Sequence, residues 1–129
     1  MTERSDQNAA TTRQVLRWLD DDYTVSDGAA SGEVLWTVEA PDGRTVVATA
    51  AETDRETWRA LYGDQTSHEL DAPGMLAALL VPLAQIGCPV FVASTRSADL
   101  VLVPVARVRD AEEALQRAGH EVLGPPAER

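Results

Sequence analysis

The sequence predicts an α+β fold: a ferredoxin-like antiparallel sheet with its helices on one face. Three observations lead there. Short apolar runs of strand length alternate with two segments of helical period in the second half of the chain. Gly87 and Gly119 stand just past those two segments, where glycine ends a helix. Counting Trp58 to Tyr62 as a first strand, the order becomes β-α-β-β-α-β. The length of 129 residues and an apolar fraction of 44% suit one domain, or two small subdomains sharing a core.

The elements follow in order. Residues 1–10 are polar and read as a disordered tail. Thr11 or Thr12 is placed to cap a helix with Val15, Leu16, Trp18 and Leu19 on its apolar face. That helix is expected to stop at Asp20-Asp21-Asp22, because three carboxylates oppose the macrodipole at a helix C-terminus. Ser26 to Gly32 is small and polar, a loop. Glu33 to Glu39 alternates, with Val34, Trp36 and Val38 on one side, and Thr45 to Ala50 returns. Pro41-Asp42-Gly43 joins them, since proline presets φ and glycine accepts φ > 0.

Trp58 to Tyr62 alternates again as a strand. Asp71 is the expected N-cap of a helix running to about Ile86, with Pro73 in its first turn and Leu76, Leu79, Leu80 and Leu83 on the buried face. Pro82 is expected to bend or loosen its last turn. Pro89 to Thr95 and Asp99 to Val103 are strands joined through Arg96-Ser97-Ala98. Val108, Ala111, Ala114 and Leu115 mark a second helix, and His120 to Leu123 a last strand. The expected organisation is a tail over 1–10, a helix plus β-hairpin over 11–56, the ferredoxin-like unit over 57–124 and a tail over 125–129.

Composition excludes several roles. The formal charge of −10, with eleven arginines and no lysine, opposes non-specific nucleic-acid or anionic-membrane binding, which need a basic face. Cys88 is the single cysteine, so no intrachain disulfide forms and no Cys/His set has zinc spacing. The acidic run lacks the glycine turn and distal glutamate of a calcium loop. No P-loop or G-x-G-x-x-G occurs, and His68 and His120 lack triad partners at motif spacing. No metal, cofactor or catalytic role is expected. No signal peptide or spanning run is visible, so a reducing cytoplasm is the expected setting.

The stretch from Leu70 to Val122 begins L-D-A-P-G-M-L-A-A-L-L-V-P-L-A-Q-I-G-C-P-V-F-V-A-S-T and continues through A-D-L-V-L-V, a helix and A-G-H-E-V. It resembles the ACT-domain branch related to the CASTOR arginine sensors. The resemblance implies two ACT-like halves, the first (11–56) degenerate. It also implies a small regulatory protein that binds an amino acid and acts through assembly, as a homodimer or on a protein partner. The alternative is a protein-interaction module of the same fold without a small ligand.

Two candidate sites follow. At the first, the loop Asp71-Ala72-Pro73-Gly74-Met75 opens the helix so that its backbone N–H groups, Pro73 having none, face a ligand carboxylate, with Gly74 allowing close approach. The competing reading is a plain helix start in which Asp71 itself fills the anion position. The second is the hairpin Ser94-Thr95-Arg96-Ser97-Ala98-Asp99. The resemblance carries ligand contacts to Ser94, Thr95 and Asp99, with Asp99 holding an ammonium; a polar hairpin tip is the competing reading. Ala72 replaces an acidic residue of the arginine sensors. Arg96 and Ser97 replace an aromatic-and-acid pair of many relatives, and Arg96 repels a guanidinium. A neutral or acidic amino acid, or no ligand, is therefore expected over arginine.

Overall fold

In the computed structural model, which describes residues 13–28, 30–63 and 74–124, the first element is a strand and not the expected helix. β1 spans Val15–Ser26. Leu16 and Trp18 are buried with the exposed Arg17 between them, an alternation of period two. The run V-L-R-W-L fits both a helix face and a strand, and a segment this short does not discriminate by period. Sheet pairing on both edges decides it. The acidic run also changes meaning: Asp20 to Asp22 falls where the register of β1 against its neighbour shifts, and Asp22 pairs with Arg59 at 2.6 Å.

β2 (Val34–Ala40) and β3 (Gly43–Thr49) form the expected hairpin, with Gly43 at φ 130 after the Pro41-Asp42 turn. The inward face of β2 differs from the simple alternation. A register shift between Val34 and Trp36 turns Leu35 and Trp36 toward the core and leaves Val34 and Val38 exposed. β4 (Trp58–Gly63) follows, then α1 (Met75–Gln85), β5 (Phe91–Ser94), β6 (Asp99–Pro104), a short 3-10 turn (Val105–Arg107), α2 (Val108–Arg117) and β7 (Glu121–Leu123).

The sheet runs β2-β3-β1-β4-β6-β5, and β7 joins it on β1. All pairs are antiparallel except β1 with β7. The sheet is nearly barrel-like rather than a plain ferredoxin-like one, and β1 is the cause. Its first half pairs with β7 (Val15↔Glu121 to Arg17↔Leu123), its second half with β3 (Tyr23↔Thr49 to Ser26↔Val46). β1 thus stands between β4 and β7, and its second half carries the hairpin over the face of β4 and β6 away from the helices. Two cores result. Leu16, Trp18, Leu61, Val101 and Val103 meet Leu79 and Leu83 of α1 and Val108, Ala111 and Leu115 of α2. On the other face Tyr23, Val47, Ala60 and Leu102 form a second cluster with Leu35 and Trp36 against it. β4 and β6 are therefore buried on both faces, which is why D-L-V-L-V carries an unbroken apolar run.

Both helices share one face of the sheet, as the apolar stripes predict. The end of α1 is held from a distance: Arg107 donates to Ile86 O at 2.8 Å and to Gly87 O at 3.3 Å. A cation there complements the helix dipole and satisfies orphan carbonyls. Arg107→Ala is expected to cost about 1–2 kcal/mol, a charged hydrogen bond discounted for partial exposure. The check is a urea midpoint shift at unchanged slope; an unmoved midpoint would show that the contact contributes nothing.

Candidate functional site

The N-terminus of α1 has no side-chain cap and no acidic residue in its first turn among the described residues. Its cap position is Gly74, at φ 87 and exposed, while Met75 is buried. Asp71 and Ala72, with Pro73, lie outside the described residues, as does His68. The left-handed conformation at Gly74 explains the glycine directly, since a Cβ is strained there. A side chain at Gly74 would therefore disturb the helix start as well as block a ligand.

Gln14 ties this helix end to the sheet. Its Nε2 donates to Met75 O at 2.8 Å, and its backbone N–H donates to His120 Nδ1 at 3.1 Å. Gly63, the last residue of β4, lies beside it. A Cβ added at Gly63 would stand 3.6 Å from Gln14 Oε1, 3.6 Å from Ala98 Cβ and 3.9 Å from Asp99 N. The end of β4, Gln14 and the start of β6 thus converge, and Gln14 links them to the N-terminus of α1. The sequence reading missed Gln14, because it placed that residue inside a helix; only its position just before β1 gives it a role.

Ser94, Thr95 and Asp99 come together at the β5–β6 connection. Ser94 and Asp99 are register partners, and Ser94 Oγ donates to Asp99 Oδ1 at 2.5 Å. Thr95 builds the turn: its hydroxyl donates to Ala98 O at 3.0 Å and accepts from the Ser97 and Ala98 N–H groups at 3.1 and 3.0 Å. Thr95 is thus committed to the hairpin, while the Asp99 carboxylate keeps capacity for a second donor.

His120 is buried and fully engaged. Nδ1 accepts from Gln14, so the ring proton sits on Nε2, 3.0 Å from Ala78 O. Ala78 O is the carbonyl that Pro82, four residues on, has no N–H to satisfy. Burial lowers the His120 pKa from its ordinary value, against the Ala78 hydrogen bond and with help from Arg13. Cys88 is likewise a packing residue: its thiol is buried, and burial pushes its pKa up, away from nucleophilic character. Among the described residues no three His, Cys, Asp or Glu side chains converge for a metal ion, and no helix is long and apolar enough to cross a membrane.

Residues 54–117 match the family model of the ACT domain. Two solved structures share the fold over nearly the whole chain. One is the Vibrio cholerae protein VC0802, of unknown function and described as a possible transport protein. It is 20% identical at a TM-score of 0.72, over 96% of this chain and 100% of that one. The other is Atu0741 from Agrobacterium tumefaciens, 21% identical at a TM-score of 0.70, over 91% and 98%. No curated protein matches the chain.

Proposed function

We propose, from the ACT-domain match of residues 54–117, that this chain is a regulatory module that binds a neutral or acidic amino acid and acts through assembly or on a protein partner. The observation that carries the reading is the N-terminus of α1 at Gly74, which has no side-chain cap among the described residues and is linked through Gln14 and Gly63 to the start of β6 at Asp99. The ligand carboxylate would take the first N–H groups of α1 and its ammonium Asp99. We place the chain in the arginine-sensor-related branch, with two ACT-like halves, a cytoplasmic setting and a homodimeric or partner-bound working state. The role is binding without catalysis. Ligand binding would shift an assembly equilibrium through different affinities for its two states.

The test is a thermal-shift screen with the twenty amino acids, since a ligand of the folded state stabilises by mass action. One neutral or acidic amino acid is expected to raise the melting temperature. Asp99→Ala should weaken that ligand by about 1–3 kcal/mol, the scale of a lost charged partner. If calorimetry finds parent and Asp99→Ala equal, the ammonium is held elsewhere. A second reading, an interaction module without a small ligand, is favoured by the acidic surface and the exposed Val34 and Val38 on edge strand β2. No hit among the twenty would select it.

A further inference from the structure

A second concavity lies at the other end of the sheet. Trp58 opens β4 and Pro104 closes β6, and the two are register partners. Gly63 and Asp99 stand at the opposite ends of the same strands. Beside Trp58 is a cleft of ≈ 470 Å³, within the usual size range for small-molecule sites. Its apolar lining includes Trp58, Pro89, Pro104 and Val105, and its two charged residues are Arg55 and Glu56.

The walls are built rather than loose. Val105 N–H donates to Thr57 O at 3.0 Å, joining the two strand ends. The Trp58 ring packs edge-on to Phe91, with centroids 4.9 Å apart. The turn that delivers Arg55 and Glu56 is held by Ala51 N–H to Asp54 Oδ2 at 2.7 Å and Asp54 N–H to Ala51 O at 3.0 Å. Among the described residues Arg55 and Glu56 are exposed and engage no hydrogen bond or ion pair. One cationic and one anionic side chain thus stand uncommitted over an apolar floor.

We propose that this cleft binds a net-neutral zwitterion bearing an apolar side group, with the carboxylate on Arg55, the ammonium on Glu56 and the side group against Trp58. Other charge patterns fit less well. A simple anion meets Glu56 and the field of a chain carrying −10. A simple cation meets Arg55. An uncharged apolar molecule would desolvate both charged groups without pairing either. This assignment is independent of the Gly74 site.

The experiment is an NMR titration of the full chain with L-phenylalanine, followed at the three indole N–H signals, with phenylacetate and phenethylamine titrated in parallel. The expected result is a saturable shift of the Trp58 indole, with those of Trp18 and Trp36 unmoved. The acid and the amine should each bind at least roughly tenfold more weakly, and Arg55→Glu should weaken phenylalanine by a similar factor. Arg55 is exposed, so the unmoved Trp18 and Trp36 signals of that variant certify its fold. Three results overturn the proposal: no saturable Trp58 shift, phenylacetate or phenethylamine binding as tightly as phenylalanine, or unchanged binding by Arg55→Glu. Shifts confined to the Gly74 and Met75 amides would support the first site and overturn this one. Shifts confined to Trp58 would support this site and leave the Gly74 site to its own twenty-amino-acid screen.

Discussion

Trp18→Ala is expected to lower the unfolding free energy by about 3–5 kcal/mol, the range for truncating a large buried aromatic. Trp18 is 3% exposed and projects from β1 into the helix-side core. Its Nε1–H also donates to Glu112 Oε1 at 2.7 Å, so the same side chain ties β1 to α2. Two variants separate these contributions. Trp18→Phe keeps much of the buried area and loses the hydrogen bond, for an expected cost of about 1–2 kcal/mol. Glu112→Ala removes only the acceptor and leaves the indole N–H beside solvent, for a smaller cost. Urea denaturation measures all three. A cost under about 1 kcal/mol for Trp18→Ala would mean that β1 is peripheral to the core and not its centre.

The second large effect is expected at His120. His120→Leu keeps an apolar volume but removes the ring that accepts from the Gln14 N–H and donates to Ala78 O. The expected loss is about 2–4 kcal/mol, most of it from leaving Ala78 O unpaired and the rest from the lost bond to Gln14. Pro82 supplies a decisive control. Pro82→Ala restores the N–H that Ala78 O lacks, so His120→Leu should cost clearly less in that background. Equal costs in both backgrounds would show that His120 does not serve the Pro82 gap.

The same residue predicts a pH dependence. Burial depresses the His120 pKa in the folded state, while the unfolded chain takes a proton near the ordinary value of 6.5. The unfolded state then binds more protons as pH falls, so stability declines with acid. The contribution is complete above about pH 6.5 and is lost as pH falls from there through the folded value. Protonation also places a second donor opposite the Gln14 N–H. His120→Leu should remove this acid limb, and its persistence in the variant would assign it to other groups.

Much of the architecture was legible. The D-L-V-L-V run, Gly87 and Gly119 place β6 and both helix ends, and the stripe Leu76, Leu79, Leu80 and Leu83 places the buried helix face except that Met75 is buried and Leu76 only half-buried, because each reports a local rule of period or capping. The hairpin was legible through Pro41-Asp42-Gly43. The helix expected over the segment now seen as β1 was not a failure of propensity alone. Four apolar residues, Val15, Leu16, Trp18 and Leu19, satisfy both periods, and what separates them is partners far along the chain: β3, β4 and β7. Gln14 and Arg107 were illegible for the same reason. Each acts on a helix end that sequence distance hides, Gln14 on Met75 O and Arg107 on Ile86 O. Of the candidate site, Ser94, Thr95 and Asp99 were named from the sequence, but the commitment of Thr95 to its own turn is a matter of geometry.

The sequence by itself determined the element types of the second half, the positions of the turns and the acidic, arginine-only surface. These depend on neighbours three or four residues away, so the chain states them locally. Only the tertiary structure decided that β1 divides its edge between β7 and β3, that the sheet therefore curls, and that His120 answers the carbonyl freed by Pro82. Those outcomes rest on hydrogen-bond partners from distant segments. Every buried backbone group must find such a partner, and which segment supplies it is settled only when the whole sheet closes.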